Sequence, residues 1–460
     1  MNFSTERLEE LCELIVDCPH STPTWTDSGF VVLRNQNIRD GVLDLSSPSF
    51  TDEEGFKSRI KRATPKENDI VFTREAPMGE VCLIPKGLTC CLGQRQVLLR
   101  AKENINPHFL FWALQSPYVQ HQIFWNEGTG TTVSNVRIPF IKDLKIPRLV
   151  GMEDTIAFTL NSLAQKLSNN NKINRTLEQI AQALFKSWFI DFEPVKAKIM
   201  ALEAGGSQEE ATLAAMTAIS GKDAGSLAVF ELVYPEKYAE LRSTAESFPS
   251  AMQDIESVKI PERWNLAPLS SIASFASGKI DVSELTKDTY ISTENMLVNK
   301  MGIECATSLP SASTTPSFNP GHILISNIRP YFKKIWLARF SGGRSADVLA
   351  FEHKKNITAE YLYNILYQDS FFDFMMQTSK GVKMPRGDKK AIMEWSCIEP
   401  DTRLVKVFSN KVKEFYSYIE SHNKENTQLS QLRDTLLPKL LSGEITLPEA
   451  EELAKEADYV

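Results

Sequence analysis

Asp191, Glu193 and Lys196 lie close together in "IDFEPVK", two carboxylates and an amine of the kind that hold Mg²⁺ and activate water in a nuclease. Their setting argues otherwise. They follow the apolar-periodic run "LEQIAQALFKSWF" and open an acidic segment, so they are expected to finish a helix and pack there. Gly221-Lys222 is the nearest approach to a phosphate loop. Asp223 stands where the Mg²⁺-binding Ser/Thr belongs, and Met216 stands where the first Gly belongs. No Asn/Asp-Pro-Pro-aromatic stretch is present to cradle an amino group for methylation, and the six histidines are scattered. The residues that remain able to do chemistry are those that bind a charged polymer: Arg, Lys, Asn, Gln and Ser/Thr on turns.

These residues gather in a few sets. "RNQNIRDG" brings together Arg34, Asn37 and Arg39, and "STENML", with Asn295, is its shorter echo. Arg74 follows an apolar run in "DIVFTREAPMG", and Arg329 occupies the corresponding turn of "HILISNIRPYF". "LGQRQ" offers Arg95 and Gln96, while "SGGRSAD" offers Arg344. Two Gly-bearing loops follow: "NEGTGTTVSNVR" with Thr131, Thr132 and Ser134, and "TSKGVKMPRGDKK" with Lys380, Lys383 and Arg386. Any one of these residues could be an ordinary solvated turn former. The sets carry more weight than their members, and Arg74 and Arg329 gain because the same turn is basic twice.

What positions these sets is written twice. Asn171, Lys172, Asn174, Leu177, Gln179 and Leu184 recur 252 residues later as Asn423, Lys424, Asn426, Leu429, Gln431 and Leu436. "HFLFWAL" resembles "EYLYNIL", "NDIVFTREAPMGEVCLI" resembles "GHILISNIRPYFKKIWL", and "RLEELCELIVDC" loosely resembles "PLSSIASFASGK". Each half reads as an entry segment, a β-rich body, a short helix, a Gly-bearing loop and a long helix. The first long helix has a 4-3 apolar spacing through Ile156, Leu160, Leu163, Leu167, Leu177, Ala181, Leu184 and Trp188, with Asn170 and Asn174 filling two heptad places. The second keeps it through Phe408, Val412, Phe415, Ile419, Leu429, Arg433, Leu436 and Leu440, with His422 and Asn426 at the matching polar break. Antiparallel pairing would set the polar middles opposite one another, and Pro438 is expected to kink or end the second helix.

The fold class expected is therefore α+β, with two pseudo-repeated mixed α/β recognition domains joined by two long antiparallel coiled-coil helices. The boundaries are 1–150 for the first recognition domain and 151–192 for the central helix. An acidic, Ala-rich insertion covers 193–257, expected to be a small ordered appendage. The second recognition domain is 258–400, the distal helix 401–444 and an acidic tail 445–460. Two similar bodies on paired helices form a ruler, and a long polymer such as DNA is what a ruler with two reading heads suits.

The net charge of −7 looks wrong for DNA until it is localised. Residues 193–257 hold 11 Asp/Glu against 5 Lys/Arg, whereas 258–400 hold 14 against 17, a net +3. Seven cysteines without a CxxC pair argue for reduced thiols in a cytoplasm and against structural zinc. No apolar run of membrane-spanning length and no secretory signal is apparent in the sequence.

"LEQIAQALFKSWFIDFEP", "LRDTLLPKLLSGEI" and "IPERWNLAPLSSIA" together resemble the specificity subunit of type I restriction–modification systems, over nearly the whole chain and in that family's order. The resemblance implies a bacterial or archaeal cytoplasmic protein with no catalysis of its own. It would bind double-stranded DNA at a bipartite asymmetric site, together with two adenine methyltransferase subunits and restriction/translocase subunits. S-adenosylmethionine, ATP and Mg²⁺ would then belong to those partners, with no cofactor or metal on this chain. The contrasting expectation is a coiled-coil scaffold that never touches DNA. It accounts for the acidity but not for the basic loop 378–390 or the duplicated bodies.

Overall fold

A computed structural model describes residues 4–75, 77–125, 135–381, 383–445 and 449–450. The chain divides into two units, Met1–Asn171 with Asn423–Val460, and Lys172–His422.

In the first unit a four-stranded antiparallel sheet runs in the order Cys12–Asp17, Gln96–Ala101, Ile70–Thr73 and Val81–Leu83. Ile70, Phe72, Val97 and Leu99 point into one apolar cluster, while Val71 and Leu98 point into another on the opposite face. Burial on both faces explains why "DIVF" is an unbroken apolar run instead of an alternating one. A three-stranded sheet lies beside it, in which Phe30–Leu33 pairs antiparallel with Ser49–Thr51 and parallel with Cys90–Leu92. Ser4–Arg7 pairs with Lys145–Arg148, so the start of this body closes against its end.

The second unit repeats this plan in the same chain order. Its four-stranded sheet is Ala273–Phe275, Val348–His353, Ile323–Ser326 and Ile335–Leu337, and again both faces are covered. Tyr290–Ile291 runs parallel to Gly342–Arg344, as Phe30–Leu33 does to Cys90–Leu92. Asn265–Pro268 closes on Ser396–Glu399. The helices correspond too: Leu8–Leu11 with Leu269–Ile272, Pro107–Gln115 with Ala359–Leu366, and Pro117–Trp125 with Asp369–Gln377. The duplication inferred from weak sequence echoes is thus a duplication of topology in the main sheet, the closing ladder and the short helices. The second sheet differs: Thr314–Phe318 pairs with Gly342–Arg344 and Lys279–Asp281, whereas Ser49–Thr51 pairs with Phe30–Leu33.

The long helices are Glu153–Phe189 and Thr402–Ser442. Within the first unit, Leu160 and Leu163 share an apolar cluster with Leu432, Leu436 and Leu440, and Leu429 is buried. Leu167 is half-buried. Asn170 donates to Glu425 at 2.7 Å and to Asn426 at 3.0 Å, and Asn426 donates to Asn171 at 2.9 Å. Within the second unit, Asn174 meets His422 at 2.8 Å, and Phe185 meets Phe408 with ring centroids 5.6 Å apart. Leu177 is half-buried there, and Leu184, Phe415 and Ile419 pack on the core that holds Trp188. In each unit the pairing is antiparallel, and the polar break is satisfied by its own counterpart. Such contacts fix register, because a slip would leave buried amides without partners. Pro438 sits inside the distal helix, which continues to Ser442.

Residues 193–246 form four helices, Glu193–Glu203, Gln208–Ser220, Ala224–Val233 and Pro235–Glu246. "SQEE" supplies a capping box, Ser207 with Glu210, and Gly221 ends the same helix at φ 66°, where a Cβ would be disfavoured. Ala215, Met216, Leu227, Leu241 and Ala245 make a small core of their own. The insertion 193–257 is tied to the rest of its unit by Phe248 against Trp188 and by Arg403, which donates to Ser243 at 2.8 Å, while within it the buried Lys198 ammonium donates to the Phe248 carbonyl at 2.7 Å. At the end of the central helix, Lys186 pairs with Asp191 and Ser187 donates to Glu193 at 2.5 Å, so these carboxylates serve the helix end.

Glu178, on the central helix in the second unit, accepts from Gln182 at 3.2 Å beside an Asn364–Tyr416 hydrogen bond of 2.8 Å. Burial raises its carboxyl from 4.5 to about 7, against the pull of the Gln182 bond and of Arg339 and Lys300. A carboxyl that holds its proton more tightly when folded gives stability present below about 4.5 and lost as pH rises through about 7. Glu178→Gln is therefore expected to stabilise this unit at pH 8 by on the order of 2–3 kcal/mol, and by little at pH 4. Thermal melts of parent and variant at both pH values check it. Equal shifts at the two would show that the carboxylate is not strained.

Candidate nucleic-acid interface

The turns that carry the sequence-selected residues divide into those facing solvent and those facing inward. In the first unit Arg34 is exposed, with its guanidinium 5.3 Å over the ring of the half-exposed Trp25. Arg39 is exposed beside Asp40 at 3.6 Å. Arg95 takes a left-handed backbone, φ 67°, and reaches Glu75 at 3.1 Å. These three present cationic groups to solvent.

Asn37, Gln96 and Arg74 do not. Asn37 is 5% exposed; it accepts from the Arg34 amide at 2.9 Å and donates to the Asp44 carbonyl at 3.0 Å, closing its own turn. Gln96 is fully buried, with Oε1 accepting from Gly93 at 3.1 Å. Arg74 is held in a fork to both Asp17 oxygens at 3.0 Å. Thr131, Thr132 and Ser134 lie outside the described residues.

In the second unit Asn295 repeats Asn37. It is 3% exposed, accepts from the Ser292 amide at 2.6 Å and donates to the Tyr290 and Glu304 carbonyls at 2.9 Å. Arg344 is 8% exposed, and its guanidinium donates to the carbonyls of Val348 at 2.6 Å, Ala276 at 3.0 Å and Ser317 at 3.3 Å. Burial lowers its pKa, yet with no carboxylate partner it is held entirely by backbone oxygens. Both side chains brace turns and present no donor to a ligand.

Of the sequence-selected residues of this unit, Arg329, Lys380, Lys383 and Arg386 are exposed. Backbone bonds bring them together. The Arg329 amide donates to the Pro385 carbonyl at 2.8 Å, Ile328 bridges Arg386, and Lys380 and Arg386 exchange amide bonds of 2.9 and 3.0 Å. Asp347 faces Arg386 at 3.0 Å and Asp388 faces Lys380 at 2.6 Å. Such surface pairs are weak and are readily exchanged for phosphate contacts. Tyr331, 48% exposed, adds an aromatic face next to Arg329. Arg329 itself lies two residues beyond the position equivalent to Arg74, which is Asn327: the Arg74 and Asn327 amides both donate at 2.8 Å, to Arg95 and Asp347 respectively.

Sequence reasoning passed over Trp25 and Tyr331. An aromatic inside a polar turn, "TPTWTDSG" or "IRPYFKK", was the available signal, because a turn has little core in which to bury one. Among the described residues no group of His, Cys, Asp and Glu could hold a metal ion, and no helix is long and apolar enough to cross a membrane. All seven cysteines are free and only Cys305 is exposed. Burial pushes Cys12, Cys90 and Cys397 up to about 12.

Residues 2–179 match the family model described as the type I restriction modification DNA specificity domain. The chain is 31% identical over 310 residues to the type I restriction enzyme HindI specificity subunit of Haemophilus influenzae, covering 62% of this chain and 65% of that protein, just under two-thirds of its length. It is 22% identical over 422 residues to the MjaIX specificity subunit of Methanocaldococcus jannaschii, covering 86% of this chain and 82% of the relative. A crystal structure of a type I restriction-modification system S subunit from M. genitalium aligns over 96% of both chains at 17% identity, with a TM-score of 0.48.

Proposed function

We propose that the chain is a specificity subunit of a type I restriction–modification system, a reading supported by the family match over residues 2–179 and by the likeness to the HindI subunit, and that each β-rich body reads one half of a bipartite, asymmetric site in double-stranded DNA. The observation that carries this reading is that each body holds exposed cations beside an exposed aromatic on its turns: in the first, the turns after Phe30–Leu33 and before Gln96–Ala101; in the second, the turn after Ile323–Ser326 and the loop 378–390. Arg34, Arg39 and Arg95 with Trp25 serve the first body, and Arg329, Lys383 and Arg386 with Tyr331 the second. Guanidinium and ammonium groups contact phosphates and guanine edges, and aromatic faces cover sugars and bases.

Two adenine methyltransferase subunits would bind along the paired helix segments, and restriction/translocase subunits would join that complex. S-adenosylmethionine, ATP and Mg²⁺ would be held by those partners, with the chain acting in a cytoplasm as the address and not the chemistry.

Reconstitution with a methyltransferase partner tests this. Methyl transfer to duplex DNA is expected only when both proteins are present, with two methyltransferase subunits per chain by light scattering. Transfer by the chain unaided would make it an enzyme. A stable complex whose transfer ignores DNA sequence would make it a scaffold.

A further inference from the structure

Different side chains make the same bonds at one place in the two units. In the first, the residue after the strand Ile70–Thr73 is Arg74. Its amide donates to Arg95, its carbonyl accepts from the Val136 amide at 3.1 Å, and its Nε donates back to the Val136 carbonyl at 3.0 Å. In the second, the residue after Ile323–Ser326 is Asn327, 6% exposed. Its amide donates to Asp347, its carbonyl accepts from the Gly387 amide at 3.2 Å, and its Nδ2 donates back to the Gly387 carbonyl at 3.2 Å. Val136 and Gly387 each stand just before a short helix, Ile138–Asp143 and Lys389–Met393. A Cβ on Gly387 would lie 2.7 Å from Asn327 Oδ1 and 2.9 Å from Ile392 Cδ1, so the approach depends on glycine.

An arginine and an asparagine share no chemistry beyond an N–H donor, yet each closes the same ring of hydrogen bonds. The surroundings then use what is left over. Arg74 spends its other donors on Asp17 and Asn135, whereas Asn327 Oδ1 is buried without a partner among the described residues. What the position needs is a donor aimed at the segment before the short helix. From the pinned segment hang the exposed side chains: Arg386 directly, and Arg329 through its bond to Pro385.

We infer that Arg74 and Asn327 are positioning residues for base recognition, each pinning the segment just before its body's short helix, 135–136 or 385–387, and so fixing the exposed cations tied to that segment: Arg95 through Asn135 and Glu75 in the first body, Arg329 and Arg386 in the second. The inference rests on the half-site reading and deepens it. A segment released from the pin leaves the exposed cations in place but free to move, so DNA binding persists while discrimination at one half-site falls.

The test co-expresses the chain with its methyltransferase partner and maps N6-methyladenine over host DNA for the parent, Arg74→Ala, Asn327→Ala and Gly387→Ala. The parent is expected to give one bipartite motif. Arg74→Ala should relax one half-site, raising methylation of single-mismatch sites in it roughly tenfold, and leave the other half unchanged. Asn327→Ala should relax the opposite half, and Gly387→Ala, which attacks the same pin from the other side, should relax the same half as Asn327→Ala. Arg74→Lys, which keeps a donor and the Asp17 pair, should restore the motif, a rescue that separates pinning from general loosening. A bipartite parent motif that all the alanine variants reproduce base for base would overturn the inference, as would Asn327→Ala and Gly387→Ala relaxing different halves. A parent without a bipartite motif would overturn the half-site reading and the inference with it.

Discussion

Replacing Arg329, Lys383 and Arg386 together by alanine is expected to weaken DNA binding by the methyltransferase complex on the order of a hundredfold near physiological salt. All three are exposed, and backbone bonds gather them on one turn cluster. Each neutralised phosphate contact contributes about 0.9 to the slope of log affinity against log salt, so the slope should shallow by roughly 2–3. Fold stability should change little. Among the described residues Arg386 pairs with Asp347 at 3.0 Å, and both side chains are accessible to solvent, so that pair contributes little. Titrations of labelled duplex at several salt concentrations measure both quantities. An unchanged slope would place the DNA contacts elsewhere in this unit.

Arg344→Met should behave in the opposite way. Methionine approximates the aliphatic volume but donates nothing, and three carbonyls now served by the guanidinium would be left short inside the unit. The expected cost is about 3–5 kcal/mol, which for a unit of this size lowers Tm by roughly 10 °C. The protein that remains folded should keep the parent salt slope. Denaturant unfolding of the full chain, followed by binding at low temperature, separates the two effects. A variant of parental stability with altered sequence preference would return Arg344 to the reading surface.

These two cases show where sequence was informative. The architecture was legible because periodicity survives divergence. A 4-3 apolar spacing interrupted by Asn170 and Asn174, and again by His422 and Asn426, can hardly be satisfied except by antiparallel pairing of the breaks, and each break does find its counterpart. The strands were legible because burial on both faces leaves unbroken runs such as Ile70–Phe72 and Ile323–Ile325.

The direction of a turn's side chain was not legible. Asn37 and Asn295 look like base readers by type, yet both turn inward to close their own loops, because an amide can bond its own backbone a few residues away. Arg344 follows Gly342 and Gly343, where a Cβ would lie 2.1 Å from the Thr289 carbonyl oxygen and 2.4 Å from Leu285 Cδ1. That pair of glycines marked a crowded interior strand, and an arginine beside it had little chance of reaching solvent. The equivalence of Arg74 with Asn327 was hidden for a different reason. Only the hydrogen-bond register shows that two chemically unlike side chains occupy one position.

In the proposed role this chain supplies DNA sequence specificity through two reading bodies. The most direct measurement is to express it with its methyltransferase partner in a host lacking its own adenine methylation and to sequence the modified bases. Methylation confined to one bipartite motif, with two unlike half-sites and a constant spacer, is the predicted result. A stable complex containing the methyltransferase, with modification scattered or absent, would contradict it.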